Sequence, residues 1–401
     1  MKLRTPLAIG AVVATIVSLA GCSAGSGSEP GQQPAGDSLK VMVFGSFTQP
    51  PFPLKQIQTA AEAAADEINA NGGVNGRSIE IVPCDDQGSP NGATNCGRQA
   101  VDDGVLAVVG AFTLFGDNIV PQLEKNGIPY LLPTAVSQQE STSKVSFPVF
   151  SSGGPFAAAL YDLKQRNLCT TAAQISPESA SADGNFTNFF KPVADKIGIN
   201  LTNVLFPATT TDFLSVASQM TDAGNCGIYG VGSQQAAGIL TALSQSNAKY
   251  TSVMGSTLVL PEPTLAQLGK AGQGLYTYSD FYFPSTGKKA VLDAVAAMKK
   301  KDSNVVVDET ALNSYAGVLA FAQLAGKVSG EVTGQALIDL LNTPGTVIDT
   351  GLFPPVDFTK DAGYFPLSPR TAVSTFQRYV SKDGSYVPDG EPFDISGKLG
   401  F

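Results

Sequence analysis

The stretch Lys55-Gln56-Ile57-Gln58-Thr59-Ala60-Ala61-Glu62-Ala63-Ala64-Ala65-Asp66-Glu67-Ile68-Asn69-Ala70-Asn71-Gly72-Gly73-Val74-Asn75-Gly76-Arg77-Ser78-Ile79-Glu80-Ile81-Val82 decides the fold class. Ile57, Ala60, Ala61, Ala64 and Ile68 recur at the spacing of one helix face, which predicts a helix over Lys55 to Asn71. Pro53 stands near its start and Gly72-Gly73 just after its end, the asymmetry that helix termini favour. Ser78 to Val82 reads as a short strand, as does Leu39 to Phe44 upstream. A helix between two such strands is a βαβ unit, and its strands suit a buried parallel sheet.

The alternation continues outward. Val105 to Val109 and Ile128 to Leu132 extend this first series of strands. A second series follows Gly153-Gly154, with strands near Thr170 to Ile175, Asn203 to Phe206, Gly227 to Val231 and Thr251 to Met254. Its helices are expected near Asn185 to Ile197, Asp212 to Ala223 and Gln234 to Ser246. Leu275 to Phe283 precedes two further helices, around Lys288 to Lys300 and Thr310 to Gly326, and a hairpin-like pair about Asp383-Gly384 closes the pattern. The expected class is α/β, with two mainly parallel sheets in tandem, each flanked by helices.

At 401 residues, 43% hydrophobic and 15% charged, the chain has a globular composition and the length of two domains. Its 34 Asp and Glu exceed its 25 Lys and Arg, and an acidic surface repels phosphate backbones, so no nucleic-acid partner is expected. Histidine is absent, which removes Ser-His-Asp and Cys-His nucleophile activation and every zinc site that needs an imidazole. No cofactor or metal is expected.

Lys2 and Arg4 precede an apolar run, Ala8 to Leu19, that is too short to span a bilayer and reads as an export signal over residues 1–21. Leu19-Ala20-Gly21-Cys22 resembles the lipobox of bacterial lipoproteins. That resemblance implies cleavage before Cys22 and a diacylglycerol on its thiol, which would anchor the chain at the extracytoplasmic face of the membrane. Residues 22–37, mostly Gly, Ser, Pro and Gln, suit a flexible tether. The alternative is an ordinary signal peptide with an incidental cysteine. Four cysteines remain, an even number in an oxidising setting, and three connectivities are open. Cys84 ends a strand-like run and Cys96 falls in the segment just after it, expected as a short loop; Cys169 and Cys226 each begin a strand-like run. Pairs Cys84 with Cys96 and Cys169 with Cys226 are expected on that basis.

The opening stretch, continued by Asp85-Asp86-Gln87, resembles the start of the leucine/isoleucine/valine-type periplasmic binding proteins. The likeness runs on through Val109-Gly110, Gly127-Ile128-Pro129, Thr211-Asp212-Phe213 and Gly272-Gln273-Gly274-Leu275-Tyr276. It implies two α/β lobes joined by three strand crossings, with ligand held in the cleft between them. Lobe one would take residues 38–151 and 286–361, lobe two 152–285 and 362–401. The implied role is a monomeric, non-enzymatic solute-binding protein that passes a small molecule to the permease and ATPase subunits of an ABC importer. A ligand-sensing subunit docking a membrane receptor is the alternative.

Ligands of open α/β sheets sit beyond the carboxyl ends of the strands, so the resemblance can be carried to particular loops. The family's stacking tyrosine falls on Phe52, which is either a ligand contact or a packing residue of the core or hinge. Its hydroxyl-bearing loop reads Ala111-Phe112-Thr113-Leu114-Phe115-Gly116, with Thr113 the best match and Leu114 beside it; a helix N-cap accounts for Thr113 equally well. In Pro133-Thr134-Ala135-Val136-Ser137 the contacts would be Ala135 and Ser137, or the segment is only a polar turn. In lobe two, Asp183 and Ser233 stand where the family has aromatics, and both also suit helix starts. Thr257 occupies the place of the acid that neutralises a bound ammonium. A buried ammonium without a carboxylate is expensive. Unless Asp183 substitutes, a less charged, partly apolar or aromatic solute is therefore expected. Catalysis is the remote alternative: Ser141-Thr142-Ser143-Lys144, Ser246-Asn247-Ala248-Lys249 and Ser285-Thr286-Gly287-Lys288 match the four-residue pattern of lysine-activated serines, without its companion motifs.

Overall fold

Strand β1 (Leu39–Gly45) is central and parallel, flanked by β2 (Ile79–Asp85) and β3 (Ala107–Val109). Leu39, Val41, Met42, Val43 and Phe44 are all buried, as a strand covered on both faces requires. In the computed structural model the described residues are 37–49, 53–151, 153–246, 248–360, 362 and 368–399. The export segment, Cys22, most of the tether and Phe52 lie outside them. Beyond β3 the first sheet adds β4 (Tyr130–Leu131), and β6 (Ser146–Phe147) pairs with β4, giving the order β2-β1-β3-β4-β6. The short strands β5 (Thr134–Ala135) and β7 (Phe150–Ser151) pair with each other beside it.

The opening stretch folds as expected, and for local reasons. The helix Lys55–Ala70 buries Ile57, Ala60, Ala61 and Ala64. Asn69 then clamps the helix to β2: its Oδ1 accepts from the Ile79 N–H at 2.7 Å and its Nδ2 donates to the Ile79 carbonyl at 2.8 Å. Gly73 sits at φ +72°, where a Cβ would lie 2.1 Å from the Arg77 carbonyl oxygen, so only glycine fits the turn.

The second sheet runs β16-β15-β12-β11-β10-β8-β9. Strands β8 (Thr171–Pro177), β9 (Asn200–Phe206), β10 (Cys226–Tyr229), β11 (Thr251–Met254) and β12 (Tyr276–Ser279) are parallel. A separate antiparallel pair joins β13 (Val347–Ile348) and β14 (Val356–Asp357). Strand β15 (Thr375–Lys382) returns antiparallel to β12 and carries β16 (Ser385–Pro388), the expected hairpin, and β17 (Phe393–Asp394). The chain therefore passes between the two sheets three times, after β7, after β12 and after β14. Arg378 on β15 holds the Asp162 carboxylate of the helix Gly153–Gln165 at 2.8 and 2.9 Å, tying that helix to the sheet.

Two local expectations are corrected. Cys96 lies in a helix, Pro90–Asp102, not a loop. Ser89 caps that helix by accepting from the Gly92 N–H at 3.1 Å, with Pro90 at the first position. The single helix expected over Asn185 to Ile197 is divided into an α-helix Ala180–Asn185, a π-turn Phe186–Phe190 and an α-helix Lys191–Ile197. Pro192 explains the widening, since its ring crowds the carbonyl four residues back and it has no N–H to donate. Both expected disulfides are present, Cys84 to Cys96 with Cα atoms 5.7 Å apart and Cys169 to Cys226 with 5.8 Å.

Candidate functional site

The site is built around the helix Glu309–Lys327, whose first turn is capped by Asp308. The Asp308 Oδ1 accepts from the Ala311 N–H at 3.0 Å and from the Thr310 hydroxyl at 2.7 Å. This helix lies hard against the end of β3. Gly110 there has φ +49°, and a Cβ on it would be 2.4 Å from the Ser314 Cα. The close approach brings Asn313 under the next loop, where its Nδ2 donates to the Leu132 carbonyl at 2.8 Å and to the Thr134 hydroxyl oxygen at 3.1 Å. Leu132 is itself held at φ +53°, a strained conformation for a branched residue.

From the second sheet, the loop after β11 meets the same helix. The Ser256 hydroxyl donates to the Glu309 Oε2. The Thr257 N–H donates to that oxygen at 3.3 Å, and the Glu309 N–H donates back to the Thr257 Oγ1 at 3.3 Å. Between these elements is a cavity of about 110 Å³. Phe112, Val136, Leu258 and Phe281 form its apolar walls; Glu309, Asn313 and Thr134 supply polar atoms, and Gly255, Ser256 and Thr310 complete it.

Glu309 and Asn313 are only 5% and 2% exposed, yet the Glu309 Oε1 and the Asn313 Oδ1 accept no hydrogen bond among the described residues. Buried acceptors of this kind are normally paired. Burial pushes the Glu309 carboxyl up to about 7, with Asp308 adding repulsion and the hydroxyls of Ser256 and Ser279 acting in the opposite sense. Asp280, just beyond β12 and 2% exposed, is pushed up to about 8 by burial and by the charge of Glu309, and its Oδ1 is also unpartnered. Such a site presents hydrogen-bond acceptors to whatever fills it, within apolar walls. Among the described residues no group of three or more His, Cys, Asp or Glu is placed to hold a metal ion.

The expected ligand contacts are distributed differently. The Thr113 hydroxyl donates to the Asp86 Oδ2 at 2.6 Å and accepts from the Phe115 N–H at 3.0 Å, so it stabilises its own loop. Leu114 is 52% exposed. Ser137 caps the helix Gln138–Thr142 in a reciprocal arrangement with Glu140. Asp183 lies within a helix capped by Ser179, is exposed, and accepts from the Asn203 amide at 3.2 Å. Ser233 begins the helix Ser233–Gln245, its hydroxyl 3.4 Å from the Leu258 carbonyl. Ala135 is buried, and its neighbours Thr134 and Val136 line the cavity in its stead. Thr257 touches the site through Glu309. Of the serines in the lysine-paired pattern, Ser141 and Ser246 spend their hydroxyls on the carbonyls of Ser137 and Leu243, at 3.0 and 2.8 Å. Glu309, Asn313 and Asp280 had no signal in the sequence beyond an acid and a threonine opening a helix.

A family model described as periplasmic binding protein matches residues 51–366. Among curated relatives, a Leu/Ile/Val-binding protein homolog 3 of Brucella melitensis is 25% identical over 270 residues, 66% of this chain and 72% of its own. A leucine-, isoleucine-, valine-, threonine- and alanine-binding protein of Pseudomonas aeruginosa is 27% identical, covering 76% of this chain and 83% of its own. Among solved structures, a fatty acid ABC transporter substrate-binding protein from Thermomonospora curvata superposes with TM-score 0.76 at 19% identity, covering 93% of this chain and 96% of its own. A solute-binding protein from Rhodopseudomonas palustris in complex with 3,4-dihydroxybenzoic acid gives TM-score 0.72 at 18% identity, over 90% and 99% of the two chains. At these identities the structural likeness speaks for the fold.

Proposed function

The chain belongs to the periplasmic binding protein family, and from that premise we propose that it captures a small, partly apolar solute in the cavity beneath Glu309 and presents it to an ABC importer. One observation carries the reading: a cavity with apolar walls, bounded by loops of both sheets and lined by Glu309 and Asn313, each of which has one buried acceptor oxygen without a partner among the described residues. The names of the relatives support the solute class, since branched-chain amino acids, a fatty acid and a dihydroxybenzoate all have an apolar body. The lobes would divide at residues 38–151 with 286–361 and 152–285 with 362–401, the three crossings forming the hinge, and closure on solute would follow from contacts made only in the closed form. Cys22 would carry the lipid anchor; Cys22→Ala should then abolish lipid labelling in cells.

The direct test is thermal melting of the chain begun at Ser23 against L-leucine, L-phenylalanine, a hydroxybenzoate, a medium-chain fatty acid and a sugar. A ligand at 100 times its dissociation constant adds about 2.7 kcal/mol, a shift of several degrees. Apolar-bodied solutes should shift the midpoint and the sugar should not. Filling the cavity by Val136→Phe should erase the shift while leaving a cooperative transition. A shift that survives Val136→Phe would place the binding site elsewhere.

A further inference from the structure

The contact between the helix Glu309–Lys327 and the loop after β11 joins two parts that are each held by their own side of the molecule. On the first side, the Gln56 Nε2 donates to the Asp308 Oδ2 at 2.9 Å and the Ser314 hydroxyl donates to the Ile57 carbonyl at 2.8 Å, which fixes the start of this helix to the helix Lys55–Ala70. On the second side, the Ser233 hydroxyl donates to the Leu258 carbonyl at 3.4 Å and the Tyr386 hydroxyl to the Leu260 carbonyl at 3.0 Å. The Ser256 hydroxyl accepts from the Leu258 N–H at 3.1 Å, which leaves its one hydrogen for the Glu309 carboxylate. The Ser279 hydroxyl, at the end of β12, reaches the same carboxyl. Neither the loop after β11 nor Glu309 lies on a segment that passes between the sheets. Those segments make joints of their own, the Tyr282 N–H to the Leu352 carbonyl at 2.8 Å and the Arg370 Nε to the Ser146 carbonyl at 2.7 Å.

We propose that Glu309 is an interlobe latch that closes without solute: its three hydrogen bonds with Ser256 and Thr257 hold the cavity walls together in the empty protein, and solute enters and leaves only when they break. The walls that meet there are Gly255, Ser256 and Leu258 on one side and Glu309, Thr310 and Asn313 on the other. Because each half is fixed independently, the bonds can part without unfolding either. Their donors and acceptors then turn to water, so the net stabilisation is modest, enough to bias an open–closed equilibrium without freezing it. The empty and the solute-bound closed forms carry the same latch, and weakening it destabilises both equally. The consequence is kinetic. Association is slowed by the fraction of chains that are closed, and dissociation by the same bonds, while the ratio of the two rates is untouched as long as the closed form prevails. For this consequence the inference rests on the cavity being the solute site; the latch itself does not.

The experiment is amide hydrogen exchange on the ligand-free chain begun at Ser23, followed by stopped-flow kinetics with L-leucine and 4-hydroxybenzoate. The Glu309 and Thr257 N–H groups both donate in the latch and should exchange slowly without solute. Thr257→Val, checked by its melting curve, removes one acceptor at a position outside the cavity lining. The Glu309 N–H should then lose its protection, and the N–H at position 257 should exchange up to about tenfold faster. The same substitution should raise the association and dissociation rate constants of a bound probe by one common factor, up to about tenfold, with the dissociation constant unchanged. Glu309→Gln keeps an oxygen for Ser256 and Thr257 and should retain slow exchange at position 257, whereas Glu309→Ala should lose it. Rapid exchange of both N–H groups in the unsubstituted ligand-free chain would overturn the proposal, with or without a binding probe. A Thr257→Val chain that speeds dissociation alone and binds more weakly would overturn it too, because the contact would then form only after solute has entered. Probe binding that persists in Val136→Phe would instead remove the cavity reading, and the exchange result would still decide the latch.

Discussion

Glu140 and Glu309 are both buried and both pushed up to about 7 by loss of water, yet their surroundings differ in the one respect that matters. The Glu140 Oε2 accepts from the Val136 and Ser137 N–H groups at 3.1 and 3.0 Å, and the Tyr130 hydroxyl approaches its Oε1 at 3.4 Å. Its backbone is engaged too, the carbonyl accepting from the Ser146 hydroxyl at 2.6 Å. That carboxyl is a staple for the turn after β5. Glu309, which lines the cavity, has one oxygen held by Ser256 and Thr257 and another that accepts no hydrogen bond among the described residues. A buried acid with a raised proton affinity is thus as consistent with a structural clamp as with a binding site. The unsatisfied oxygen separates the two.

The largest expected effect is on the clamp. Glu140→Ala strands two N–H groups and opens space beside Gly116, and should cost about 2–4 kcal/mol of stability, read from the midpoint of urea unfolding. Near pH 5, where Glu309 carries its proton, Glu309→Gln should change stability far less, and equal losses there would erase the difference between the two carboxyls. The next effect is the pH dependence of the ligand-free chain. For both residues the folded form binds its proton more tightly than the unfolded chain does, so stability falls as pH rises from about 4.5 through about 7. Each carboxyl contributes at most about 3 kcal/mol to that fall. Glu309→Gln should flatten the melting temperature over this window and raise it near pH 8; a slope unchanged by the substitution would mean that Glu309 titrates like a free side chain. The smallest effect sharpens the boundary of the site. Thr113→Val breaks the bonds to Asp86 and Phe115 and should cost about 1–2 kcal/mol of stability with no change in solute affinity. A selective loss of affinity would move Thr113 from the clamp's side of the comparison to that of Glu309.

The loops read from the sequence are the loops that reach the cavity, but the facing residues are offset by one. Phe112 lines it beside Thr113, Thr134 and Val136 on either side of Ala135, and Ser256 and Leu258 on either side of Thr257. In extended chain, successive side chains point to opposite faces, so a correct loop with the phase reversed names the residues that turn inward. Thr113 and Ser137 turn inward to satisfy backbone groups, which short hydroxyl side chains do well.

What the sequence determined by itself is whatever depends on neighbours along the chain: the βαβ opening, the series of strands and helices, and the glycines of the turn at Gly72-Gly73. Spacing, capping and short loops are local, and they survive reading without a structure. The acid at the site was not local. The sequence offered a threonine at Thr257 where a carboxylate was looked for, with Asp183 as the nearest substitute; the carboxyl that bonds the Thr257 N–H comes from Glu309, half a hundred residues further on. In sequence, Asp308-Glu309-Thr310 says only that a helix begins. Whether such a carboxyl ends in water, in a clamp or against an apolar cavity is decided by what the tertiary structure packs around it, because desolvation and hydrogen-bond satisfaction are properties of that surrounding and not of the residue.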